Sequence, residues 1–351
     1  GLMFLISAIQ TLLFVLVGNT VLGIKDLTFM HWLLLFSTSC FANVLGLNVS
    51  ASFNSAKVIY IMIPVLIIPQ LLFSGIIVKF DKLHPWFASE RSVPWIGNIM
   101  ASRWAYEGLA VSQYMWNPYE RQFYEFDRRM KTANWKKDLW VRELENALGN
   151  VRRGLDGHGD QAGTEHDLAL LRTELTKETA SLKGFSLPVL DQLTPDRVDH
   201  GVLDRVEDAL RTLTHHYRTA YKVAEAGKER LIAQRTATPE LRKAYFERLD
   251  TYRNESLAEV VTNKNDVNVI VEYEGELVQK NDPIYLEPVS VGFFGAQFYA
   301  PSKWLAGQRI PTLWANTLVL WGMSLLLAIA LYADLFPRFI RLMPRLGRRP
   351  V

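Results

Sequence analysis

The chain is poor in cysteine, poor in charge over its first quarter, and empty of familiar catalytic signatures. Only one of its 351 residues is a cysteine, Cys40. A single thiol excludes an internal disulfide framework and a cysteine zinc site, and Cys40 reads as a small packing residue. No phosphate loop occurs: Ala226, Gly227, Lys228 and Glu229 come nearest, but the upstream glycine and the hydroxyl are missing. No His-Glu-x-x-His zinc motif and no Gly-x-Ser-x-Gly elbow is found. His158, Asp160, Glu165 and His166 lie close together, yet the run reads as a solvated turn rather than a metal site. His215 and His216 point to different sides of an expected helix and read as surface. Residues 1–79 carry four charges: Lys25, Asp26, Lys57 and Lys79. That scarcity excludes a uniform soluble globule and a disordered chain.

What is present is apolar length. Four stretches lack charge: residues 1–24, 27–56, 58–78 and 310–333. The shortest holds 21 residues, about 31 Å of helix at ~1.5 Å per residue, enough for ~30 Å of hydrocarbon. Four transmembrane helices are therefore expected. Residues 1–24 have no basic n-region and no small-residue cleavage site, so they read as a span and not as a signal peptide. The sequence starts without Met inside an apolar run, and the expectation is that Gly1 is not the native start.

Basic residues beside spans set orientation. Arg338, Arg341, Arg345, Arg348 and Arg349 follow the last span with no acid among them. This tail is expected in the cytoplasm, facing anionic lipid. Alternation then places residues 80–309 outside. Lys79 at the outer end is a mild departure. Residues 80–310 hold 31 Lys and Arg against 34 Asp and Glu, a mildly acidic balance that gives no support to nucleic-acid binding.

The third span carries Pro64 and Pro69. Each lacks an N–H and crowds the carbonyl one turn back, so a kink is expected, and the freed carbonyls need protein or a cavity beside them. Gln70 is the polar residue nearest the middle of that span. It reads equally as a residue of a translocation path or as an interhelical hydrogen bond. His31 is expected at the headgroup level of the second span. The small, polar loop 48–57 reads as a short cytoplasmic connection or a seat for a partner.

Outside, residues 85–114 stand apart. Arg91 and Arg103 enclose an uncharged run, 92–102, too short to span and suited to a re-entrant or interfacial segment. Trp86, Phe87, Trp95, Trp104 and Tyr106 fit an aromatic belt; an extramembrane core helix is the alternative. Residues 116–290 then read as a mostly helical, coiled-coil-like domain with charges between apolar positions. Helices are expected over 119–148 and 164–182. Thr194 and Pro195 predict a helix start running to about Gln234, and Thr238 and Pro239 predict another running to about Val261. Val267 to Tyr273 and Glu276 to Val278, around Glu274 and Gly275, predict a small β hairpin. Residues 291–335 read as an interfacial segment and the last span, and 336–351 as the basic tail. The fold class is all-α, polytopic in the membrane.

The run Phe73, Ser74, Gly75, Ile76, Ile77, Val78, then Pro94 and Trp95, then Ser102, Arg103, Trp104, Ala105, Tyr106, Glu107, Gly108 and Leu109, resembles the membrane half of G-subfamily, type-2 exporter-like ABC transporters. Leu313, Trp314, Ala315, Asn316 and Trp321 resemble that family's final helix. The resemblance covers about 1–115 and 290–340. It implies that these four spans are the third to sixth of six. It implies that Ile76 and Ile77 take the places of the paired leucines forming a hydrophobic valve between inner cavity and exit. Ile68 and Leu71 would face the inner cavity with Gln70, and 85–114, with Trp95, Arg103, Trp104, Tyr106 and Glu107, would be the re-entrant segment. ATP and magnesium would sit on an ABC ATPase domain supplied in cis or in trans; no cofactor is expected in this chain, nor the main coupling helix. A second copy would complete a dimer, and the cargo would be amphipathic or lipid-like. Two departures, the long outer insert and the missing loop cysteines, imply a bacterial member with a periplasmic domain that could dock a partner protein.

The alternative is a membrane-anchored scaffold or sensor whose outer coiled coil binds a partner. Prolines and a re-entrant stretch favour transport, since an anchor needs neither. A membrane-embedded enzyme is disfavoured because no pair of intramembrane ionisable residues is visible.

Overall fold

The computed structural model describes residues 1–53, 55–84, 86, 89–288 and 292–338. Pro85, Phe87 and the tail arginines Arg341, Arg345, Arg348 and Arg349 lie outside the described residues. The chain forms two compact units, one of Gly1–Arg121, Glu247–Val261 and the stretch from Glu287 onward, the other of Gln122–Phe246 and Thr262–Leu286.

The first unit holds α1 (Leu2–Val21), α2 (Thr28–Ser52), α3 (Ala56–Leu72), α4 (Trp95–Asn98) and α5 (Ala101–Met115). Among the described residues three helices are long and apolar enough to cross a membrane: α1, α2 and, near the end, α12 (Thr312–Tyr332). The expected third span differs. α3 is a shorter apolar helix of 17 residues, about 26 Å, that ends before the expected Val78. Pro64 and Pro69 remain inside it; the helix stops because the Ser74 hydroxyl takes the Leu71 carbonyl at 2.7 Å and Gly75 turns the chain at φ +81°. Residues 73–78 are therefore a turn.

α2 is the hub, packed on α1, α5 and α12. Leu34, Phe41, Trp104, Ala105, Leu313 and Leu320 form its core. Polar side chains stitch the helices, as interhelical hydrogen bonds do where lipid offers no alternative. Asn43 Nδ2 donates to Ser7 Oγ at 2.6 Å, Trp32 Nε1 to the Ala8 carbonyl at 3.0 Å and Asn48 Nδ2 to the Leu327 carbonyl at 3.0 Å. His31, in the first turn of α2, is buried, with Nδ1 3.1 Å from Asn19 Oδ1.

The uncharged run 92–102 does not act as one element. Pro94 precedes the single turn α4, and α5 begins within the run and carries Arg103 and Glu107. Of the expected aromatic belt, Trp86 and Trp95 are exposed, but Trp104 is fully buried core. A second hairpin, β3 (Ser302–Leu305) with β4 (Gln308–Pro311), leads directly into α12 and was not expected. Its turn uses Ala306 and Gly307, both at positive φ.

The second unit has its own apolar core. α6 (Glu120–Trp135) runs through a π-helical turn, Lys136–Trp140, into α7 (Val141–Leu155). α7 packs on α8 (Gln161–Ser181) and α9 (His200–Arg235). Trp140, Leu144, Val151, Leu171, Leu175 and Leu203 are central to that core. α9 starts later than Thr194: Asp199, not Thr194, accepts from Val202 N at 2.7 Å, and residues 194–198 form a turn. The aspartate displaces the threonine because its carboxylate meets the orphan amide directly. Thr238 does cap α10 (Pro239–Tyr252), accepting from Leu241 N at 3.3 Å. The continuous helix expected to Val261 breaks at Asn254, which caps α11 (Glu255–Val261), a helix of the first unit. The expected hairpin is present as β1 (Ile270–Tyr273) and β2 (Glu276–Gln279), with Glu274 and Gly275 both at positive φ. That is the turn geometry matching strand twist. His166 pairs with Glu272 at 2.8 Å and Asp160 caps α8, which absorbs two of the four grouped metal candidates.

Candidate functional site

The end of α3 and the helix α5 meet through two polar side chains, Gln70 and Ser102. Gln70 Oε1 accepts from the Ser102 backbone N–H at 3.1 Å, and the Ser102 hydroxyl donates to the Gln70 carbonyl. Ser102 is the second residue of α5, so Gln70 satisfies an orphan amide of that helix while Ser102 satisfies an orphan carbonyl of α3. Of the two roles open for Gln70, the structure displays the interhelical bond.

The turn that follows is held from behind. Ser74 is buried, and its hydroxyl accepts from Ile76 N at 3.3 Å. A Cβ on Gly75 would stand 2.6 Å from the Phe80 ring and 2.9 Å from Phe298, so only glycine fits. Phe80 and Phe298 meet edge to face at 5.2 Å. In front, Ile76 and Ile77 are 48% and 63% exposed. Ile68 and Leu71 are also exposed, on the last turns of α3. Ile76 and Ile77 thus lie beyond the helix, on a braced turn.

Behind this turn sits a charge cluster that the sequence did not announce. Arg103 and Glu107, one turn apart on α5, are buried with Lys303 of β3. Lys303 Nζ donates to both Glu107 oxygens, at 3.0 and 2.9 Å. Asn316 Nδ2, on α12, donates to Glu107 Oε2 at 2.9 Å and to the Trp104 carbonyl at 2.8 Å. Arg103 Nη2 is 3.5 Å from Glu107, and its guanidinium lies 3.9 Å over the Trp104 ring. Burial pushes the Lys303 ammonium down to about 8, with Glu107 resisting and Arg103 adding to the fall. Tyr106 stacks on Phe298 at 6.4 Å, joining the cluster to the aromatics behind the turn. Trp95 is largely exposed. Lys303, Asn316 and Phe298 were missed because each reaches the site from far along the chain. The one available signal was a lone lysine in the aromatic run before the last span.

Residues 1–114 match the family model described as ABC-2 type transporter. The match runs from α1 to the end of α5 and so includes Gln70, the braced turn, Arg103 and Glu107. It supports a type-2 ABC permease, the transmembrane component of an ABC transporter and a multi-pass membrane protein. Permeases of this family generally work with an ABC ATPase and dimerise. No curated protein and no solved structure matches the chain. Among the described residues no cluster of three or more metal-ligating side chains occurs.

Proposed function

We propose that the chain is the membrane half of a bacterial exporter resembling the G subfamily, moving an amphipathic or lipid-like cargo as a dimer driven by an ABC ATPase outside this chain. The observation that carries this reading is the braced turn. Two β-branched side chains stand exposed at the end of a short apolar helix, with a glycine and two phenylalanines fixing their backbone. Paired across a dimer, such side chains form a constriction that closes by excluding water. The Arg-rich tail would lie in the cytoplasm and residues 80–309 in the periplasm. There the second unit, with its own core, would receive cargo or dock a periplasmic partner.

The test is Ile76→Ala with Ile77→Ala in vesicles holding the intact transporter. The double variant is expected to leak carboxyfluorescein without ATP and to lose most ATP-driven efflux of an amphipathic dye. Parental leak with parental coupling would remove the valve.

A further inference from the structure

The valve reading leaves the buried charges of α5 without a role. Two cations share one carboxylate, and Nε and Nη1 of Arg103 are buried without an acceptor among the described residues. Such a cluster is a poor choice for stability alone, since apolar residues of similar volume serve as well. What it supplies is position. Lys303 grips both oxygens of Glu107, Asn316 holds the same carboxylate from α12, and together they leave α5 one way to sit against β3 and α12. The same α5 is bound at its first turn to the last turn of α3 through Gln70 and Ser102. Seven residues after Gln70 stands Ile77.

We propose that Arg103, Glu107, Lys303 and Asn316, with the Gln70–Ser102 link, form a positioning joint that transmits movement of α12 to the turn carrying Ile76 and Ile77. The joint is a contiguous chain of hydrogen bonds and ion pairs between rigid helices, the kind of path along which two sites can be coupled. The unfilled donors of Arg103 are what a second arrangement of α5 would use. The geometry stands without the valve reading; its consequence for export rests on that reading.

The experiment uses the full chain in native membranes with Cys40→Ser, and a reporter cysteine at Ile77→Cys or, as control, at Val21→Cys on α1. The rate of labelling by a membrane-impermeant maleimide is measured for each variant. Glu107→Gln leaves two buried cations without their counter-charge and is expected to change the rate at 77 by about tenfold, with the rate at 21 within about twofold. Adding Lys303→Met to Glu107→Gln removes one of the two uncompensated cations and leaves Arg103, so the rate at 77 should return part of the way toward the parent. Ser102→Ala touches no charge and is expected to change it by about threefold through loss of one hydrogen bond. If Glu107→Gln does not reach the membrane, Ser102→Ala and the double variant carry the test. A parental rate at 77 in Ser102→Ala, or equal changes at 21 and 77 in any variant, overturns the joint. Altered rates at 77 beside a harmless Ile76→Ala, Ile77→Ala pair would remove the valve and keep the joint. Parental rates beside a leaking Ala pair would remove the joint and keep the valve.

Discussion

Gly75 shows how much a single position can hold. Its φ of +81° and the 2.6 Å approach of Phe80 leave no room for a methyl group. Gly75→Ala should cost roughly 2–5 kcal/mol from backbone strain and overpacking together, read as a fall in thermal midpoint in detergent. Asp282 gives a different kind of test, in the second unit. Burial raises its carboxyl above the usual aspartate value of 3.8, and Lys131, 3.1 Å away, opposes the rise. An acid raised in the fold binds its proton more tightly folded than unfolded. Its contribution is therefore full below the ordinary value and is lost as pH rises through the folded one. Asp282 also stands at φ +57°, which asparagine tolerates. Asp282→Asn should lack this slope, so its thermal midpoint should gain on the parent as pH climbs from about 4 to 7. Parallel curves would show that Asp282 does not titrate with folding.

The π-helical turn between α6 and α7 is the element that orders the second unit. It places Lys136 and Trp140 toward the buried carboxylates of α8. Lys136 Nζ lies 2.6 Å from Glu178 and 3.7 Å over the Trp140 ring, and Trp140 Nε1 donates to Glu174 at 2.7 Å. Tyr217 of α9 donates to the other Glu178 oxygen. Glu174 also accepts from Leu277 N at 3.1 Å, which ties β2 to α8. A two-stranded hairpin is marginal in water without such support. Glu174→Leu would strand a buried indole N–H and a backbone amide, costing roughly 2–4 kcal/mol. Amide exchange should accelerate at Leu277 and its strand partners and leave α1 and α2 unchanged. Glu174→Gln, which keeps an acceptor, should sit between. These carboxylates were invisible in the heptad-like pattern because buried and exposed glutamates occupy similar helical spacings.

At the scale of the whole chain, the proposed topology predicts which positions an impermeant reagent reaches. Cys40 is the single thiol of these 351 residues, so Cys40→Ser leaves this stretch without cysteine. Gly159→Cys, in the turn before α8, should label in intact cells with an impermeant maleimide. Phe336→Cys, past α12, should label only after permeabilisation. The reverse pattern would invert the proposed topology. The apolar surface of α1 and α3 is consistent with lipid or protein neighbours: α3 has no buried residue, and most large side chains of α1 are exposed.

Much of this architecture is local and was legible in order of residues. Charge-free length marks α1, α2 and α12, alternation about Glu274 and Gly275 marks one hairpin, and Thr238 before Pro239 marks a helix start, because each depends on neighbours within a few positions. The motif residues 73–78 and 102–109 were legible too, and the family match covers both. The end of α3 at Leu72 was not legible, since composition continues apolar to Val78 and only the Ser74 bond and the Gly75 turn stop the helix. Nor was the charge cluster: Lys303 meets Glu107 across 196 positions and Asn316 meets it across 209. An isolated lysine has no periodicity to read. Its partner is chosen when β3 and α12 pack on α5, and burying three charges together is possible only after that packing has excluded water from all of them.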